Sequence, residues 1–111
     1  MTRDEALGHA LALPDALAQA HFDRMAVRAG KGRIFATVGT ADVNLRLTPD
    51  EQALFVDSAP VLVAPVAGGW GRQGWTRLAL DGADEALLHS LLAAAWRGAA
   101  PAKLRQAHPD I

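Results

Sequence analysis

Between Arg24 and Leu47, apolar and polar residues alternate in three short runs, and no other feature restricts the fold as strongly. Met25 and Val27 alternate with Arg24, Ala26 and Arg28. Ile34, Ala36 and Val38 alternate with Arg33, Phe35 and Thr37. Val43, Leu45 and Leu47 enclose Asn44 and Arg46. A period of two puts successive side chains on opposite faces of a strand, so each run predicts a strand with one apolar face. The turns Gly30-Lys31-Gly32 and Gly39-Thr40-Ala41-Asp42 join the runs. Turns this short cannot carry a parallel crossover, so the three strands form an antiparallel meander.

Helical signals flank the meander. Thr2-Arg3-Asp4-Glu5 has capping-box spacing, and Ala6, Leu7, Ala10, Leu11 and Leu13 follow at helical intervals until Pro14 ends the run. The Ala-rich, aperiodic stretch after Pro14 reads as a turn, leading into an extended segment that begins near His21-Phe22. Thr48-Pro49-Asp50-Glu51 predicts an N-cap, a proline in the first helical turn and a capping glutamate for a short helix carrying Ala53, Leu54 and Phe55. Val61-Leu62-Val63 and Trp75 to Leu80 predict a second hairpin about a glycine-rich turn spanning Gly68 to Gly74. A last helix, capped by Asp81 or Asp84, carries Leu87, Leu88, Leu91, Leu92, Ala95 and Trp96 in one apolar stripe and stops at Gly98 and Pro101.

Two striped helices need an apolar surface to cover, and the alternating strands supply one. The expected fold is α+β: a two-layer sandwich with an antiparallel sheet and helices packed on one face. At 111 residues the chain fits one domain, residues 1–111, with about 104–111 expected to fray.

Several chemistries are excluded or unsupported. No cysteine is present, which removes thiol nucleophiles, thiolate metal sites and disulfides and suits a reducing cytoplasm. The N-terminus carries acids where a signal peptide needs bases, and no stretch is long and apolar enough to cross a bilayer, so an untargeted cytoplasmic monomer is expected. His9, His21, His89 and His108 lack the spacing of a metal site, and Ser58 and Ser90 do not sit in a nucleophile elbow. Gly69-Trp70-Gly71-Arg72-Gln73-Gly74 has the spelling of a dinucleotide loop, but it precedes a strand where that loop must open a helix. No catalytic residue, metal or cofactor is expected.

The informative cluster comes from the strand faces. With the apolar positions turned to the helices, the opposite face should show Arg24, Arg28, Arg33, Phe35, Asn44 and Arg46, joined by Trp75 and Arg77. No acid occupies the strand positions assigned to that face. Guanidinium and aromatic groups together suit phosphates with stacked bases, and also an acidic protein partner. The bland alternative is a solvated sheet face kept soluble by arginine. The net charge of −1 means that any polyanion site must be local.

Gly32-Arg33-Ile34-Phe35-Ala36-Thr37, Val43-Asn44-Leu45-Arg46-Leu47 before Thr48-Pro49-Asp50-Glu51, Gly71-Arg72-Gln73-Gly74-Trp75-Thr76, and Leu91 to Trp96 together resemble the MmcQ/YjbR family. The likeness runs from about Leu7 to Lys103. It implies a CyaY-like, double-wing α+β fold and DNA binding, with Arg33, Arg46, Arg72, Trp75 and Arg77 at the matching positions. The related frataxins bind iron through an acidic first helix. Here only Asp4 and Glu5 stand at its start, so iron binding is not carried over. The expectation is a non-enzymatic domain that contacts nucleic acid through Arg33, Arg46, Arg72 and Arg77 and stacks it on Trp75 and Phe35. A protein-interaction or adaptor module using the same surface, or a pocket between the loops and the C-terminal helix, is the alternative.

Overall fold

The structure, a computed structural model, describes residues 1–111. Helix α1 (Arg3–Leu11) leads into strands β1 (Ala16–His21), β2 (Arg24–Ala29), β3 (Ile34–Val38) and β4 (Asp42–Arg46). Helix α2 (Pro49–Ser58), β5 (Val63–Pro65), the one-turn α3 (Gly69–Arg72) and β6 (Trp75–Ala79) follow, and α4 (Glu85–Ala99) and α5 (Ala102–Ala107) close the chain. The six strands form one antiparallel sheet in the order β1-β2-β3-β4-β6-β5. The α+β architecture is therefore as expected.

Both capping boxes form. Thr2 and Glu5 exchange hydrogen bonds, each backbone N–H donating to the other's side-chain oxygen at 3.1 Å. Thr48 and Glu51 do the same at 2.9 and 3.1 Å. Asp84 caps α4, accepting from the Leu87 N–H at 2.8 Å. Each cap satisfies backbone donors that a helix start would leave unpaired.

The core lies between the sheet and α1, α2 and α4. Its largest fully buried side chains include Trp96, Phe35, Leu45, Leu78, Leu88, Leu91 and Leu92. Helix α4 crosses β2, β3 and β4, with α1 beside it, while α2 packs near β5. Trp96 combines burial with a satisfied indole, whose Nε1–H donates to the Pro14 carbonyl at 3.0 Å. One indole thus fills the core and pins the connection between α1 and β1.

Four elements differ from the sequence reading. The Ala-rich stretch read as a turn is β1, a full edge strand paired with β2 from Ala16↔Ala29 to His21↔Arg24. Its residues are almost all exposed, so it carries no buried face to write an alternating pattern. The glycine-rich segment read as a plain hairpin turn holds α3. Its glycines make room for close backbone approach: a Cβ on Gly71 would stand 1.8 Å from the Val66 carbonyl oxygen, and one on Gly74, at φ +112°, 1.9 Å from that of Leu47. Residues beyond Lys103, expected to fray, include most of α5.

The fourth difference relocates two side chains. Val27 pairs with Ala36 and Arg28 pairs with Ile34, so Phe35 has no partner on β2 and forms a β-bulge. The extra residue resets the alternation. Phe35, expected on the open face, is fully buried in the core, and Ile34, expected inside, lines the open face instead.

Candidate functional site

Directly opposed residues of antiparallel strands share a face, so the register maps the uncovered side of the sheet. Its central row runs Gln19, Ala26, Thr37, Asn44, Arg77, Ala64 across all six strands. Toward one end come Leu17, Arg28 and Ile34, then Arg46 opposite Trp75. Toward the other come His21 opposite Arg24, and Asp42 opposite Ala79.

A cleft of about 290 Å³ opens on this face. Thr37, Asn44 and Ile34 come from β3 and β4, Trp75 from the start of β6, Val66 from just after β5, and His21 from the end of β1. Trp70 of α3 completes the lining. Its ring meets that of Trp75 edge to face, with centroids 6.5 Å apart and planes at 82°. Local folding explains this corner. Gly71 lets α3 close against Val66, and Gly74 turns the chain sharply into β6, so two tryptophans five residues apart reach one cleft. Trp70 remains 64% exposed despite its size, leaving much of its apolar surface open. Beyond His21, the turn residue Phe22 is 94% exposed, its ring 4.9 Å from the imidazole. Such a volume lies near the small end of ligand pockets, roughly 300–1,000 Å³, and suits one flat ring system.

The electrostatics divide the face into two ends. Asp42 lies on it, contrary to the expectation of an acid-free surface. The alternation of the sequence puts this residue in a turn, whereas it is the first residue of β4. Arg24 Nη1 donates to its Oδ1 at 2.6 Å and Arg77 Nε to its Oδ2 at 2.8 Å. Arg24 also donates to the Thr37 hydroxyl and carbonyl, both at 2.9 Å. Burial pushes the Asp42 carboxyl up, but the hydrogen bonds and charges of Arg24 and Arg77 outweigh it and hold the group below its ordinary value. At the other end, Arg28 and Arg46 make no ion pair.

The candidate residues thus separate. Trp75 lines the cleft and Arg46 stands directly across from it on β4. Arg77 is on the face but tied to Asp42. Arg72, exposed on α3, and Arg33, exposed in the residue before β3, lie outside the cleft lining toward the Arg46 end. Phe35 is a core residue and is withdrawn from the site. Sequence reasoning missed Trp70, Ile34, Val66 and His21 as lining residues, and the only signal for Trp70 was a bulky aromatic in a glycine loop.

One polar group in the cleft is anomalous. Asn44 is half-buried on a central strand; its Oδ1 is shielded from solvent and has no hydrogen-bond partner. The fully buried Thr76 makes the contrast, since its hydroxyl donates to the Gly74 carbonyl at 2.8 Å and accepts from Gln52 Nε2 at 3.2 Å. Unpaired buried polar atoms are rare enough in native folds to require a reason.

No helix is long and apolar enough to cross a membrane, and no group of three or more His, Asp or Glu side chains is placed to hold a metal ion. A family model described as YjbR matches residues 11–98. Among solved structures, the chain is similar to the crystal structure of Deinococcus radiodurans protein DR2400, a DUF419 domain. The TM-score is 0.74 at 20% identity, over 96% of this chain and 86% of that one. No curated protein matched.

Proposed function

This chain belongs to the YjbR family, and from the open face that its matched span carries we propose a non-enzymatic domain that binds single-stranded nucleic acid. The carrying observation is the corner of Trp70 and Trp75 on an uncovered sheet face, with the unpaired guanidinium of Arg46 directly across from Trp75. An indole offers its π-face to any base, and an unpaired arginine beside it takes the adjoining phosphate. The uncovered face is shallow and sheet-built, with no helix set to enter a duplex groove, which favours a single strand read by stacking. A CyaY-like fold, a cytoplasmic location and a monomeric state belong to the same proposal.

Arg28, Arg33, Arg46 and Arg72 are the cations without an ion pair toward the aromatic end of the face. If they neutralise about three phosphates, log K falls against log salt with a slope of about −2, or roughly 20-fold between 50 and 200 mM. Fluorescence anisotropy with a labelled oligothymidylate and a duplex of equal length, across a salt series, tests this. Trp75→Ala should weaken single-strand binding by about 1–3 kcal/mol at every salt concentration, whereas Arg46→Ala should also flatten the slope. Absence of single-strand binding at low salt would refute the proposal. Capture of an acidic protein with full retention of binding in Trp75→Ala would favour the interaction-module alternative.

A further inference from the structure

Resting on the single-strand reading, we propose that the cleft receives one unstacked nucleobase, whose hydrogen-bonding edge pairs with the side-chain amide of Asn44. Three observations converge on this. The cleft is walled by Trp70 and Trp75, with Ile34 and Val66 beside them, and its volume of about 290 Å³ fits a flat ring. Asn44 lines it from the middle of β4, between Thr37 and Arg77 in the central row. Neither end of its amide makes a hydrogen bond within the chain, and Oδ1 is shielded as well.

Neither polar neighbour in the central row bonds this amide. The Thr37 hydroxyl is engaged by Arg24 Nε, and the Arg77 guanidinium is drawn to Asp42. The two polar residues flanking Asn44 are thus turned toward the ion-paired end of the face. The residue packs among apolar and aromatic groups, where leucine or valine would fit a central strand better. The amide turns on a soft, two-fold torsion, so a half-turn exchanges its inner and outer ends and either can be presented to the cleft. An amide carries an acceptor next to donors, and the hydrogen-bonding edges of nucleobases carry the same complement. Asn is a bidentate partner of adenine in duplex readout for this reason. Thymine offers its N3–H and O4 in the same way. The contact therefore distinguishes a base from a merely flat apolar ring, without strong preference among bases.

The experiment compares a short oligothymidylate with the same strand carrying difluorotoluene, a non-hydrogen-bonding isostere of thymine, at every position, for the wild-type chain and Asn44→Leu. Leucine keeps the shape of asparagine and removes both hydrogen-bonding groups. The wild type should bind thymine about tenfold more tightly than the isostere, as two net hydrogen bonds allow. Asn44→Leu should bind both strands equally. Asn44→Ala gives the same reading should leucine perturb the fold, with folding of each variant checked by circular dichroism. Equal wild-type binding of the two strands, or discrimination that persists in both variants, would overturn the pairing while leaving the stacking surface in place. Failure of every strand to bind the wild type would overturn the surface itself, so the two failures are distinguishable.

Discussion

Asn44→Leu should make the protein more stable. The wild-type side chain occupies a central strand with its Oδ1 shielded and unpaired. An unsatisfied buried polar group costs about 1–3 kcal/mol in lost solvation. Asn44 is only half-buried, so about 1–2 kcal/mol is the appropriate share, and leucine adds apolar contact with Ile34 and the tryptophans rather than a cavity. For 111 residues the entropy of unfolding is about 0.23 kcal/mol/K, so this gain corresponds to a rise in Tm of about 4–8 °C. Thermal melts followed by circular dichroism at neutral pH, with a urea titration for ΔG, measure it directly. An unchanged or lower Tm would mean that the amide is satisfied in solution, by water or by an Arg77 rotamer, and the unpaired group would lose its meaning for binding.

Three other outcomes follow from the same geometry. Asp42→Asn removes the one acid among the strand positions of the face and releases Arg24 and Arg77, so an oligonucleotide should bind more tightly, with a salt slope steeper by about 0.7 per additional phosphate neutralised. The Asp42 carboxyl is held below its ordinary value of 3.8, so its contribution is fully present above that pH and is lost as pH falls through the lower folded value. Acid titrations monitored by fluorescence should show a shallower loss of stability in Asp42→Asn over that window. Phe35→Ala should cost about 3–5 kcal/mol in urea unfolding, as a fully buried aromatic does, while the folded fraction binds nucleic acid unchanged. A loss of affinity without a loss of stability would return Phe35 to the binding face.

Much of this fold was legible because the residues that write the pattern are those that bury one face. Val43, Leu45, Leu78 and Leu80 are buried where alternation puts them, and the caps at Thr2, Thr48 and Asp84 form as spelled. The failures share one physical cause: the missing signal was carried by something other than apolar period. Strand β1 is Ala-rich and exposed, so its place in the sheet comes from backbone pairing with β2 alone. The bulge at Phe35 inserts one residue into a run whose polar and apolar spelling still alternates. A parity argument then reverses the faces of Phe35 and Ile34 while leaving the rest of the strand correct. Trp70 reached the cleft through Gly71 and Gly74, whose close backbone contacts no local pattern encodes.

The bulge and Asp42 together shape the face in a way neither would alone. By moving Phe35 into the core, the bulge gives α4 a large packing partner and leaves the smaller Ile34 on the open side, where a phenyl ring would reduce the space before Trp75. Asp42 neutralises one charge at the opposite end and fixes Arg24 and Arg77 in place. The free cations therefore lie toward the Trp75 end, and the Asn44 amide sits where the free and paired halves meet. A phosphate backbone is drawn by charge, and toward this end charge is free at Arg28, Arg33, Arg46 and Arg72, so the strand should pass over that end and turn a base inward toward Asn44. Reversing the sign of Arg46 with Arg46→Glu should then abolish binding outright, whereas Arg77→Glu, beside Asp42, should weaken it less. Equal losses measured by anisotropy at one salt concentration would show that the face does not have this polarity.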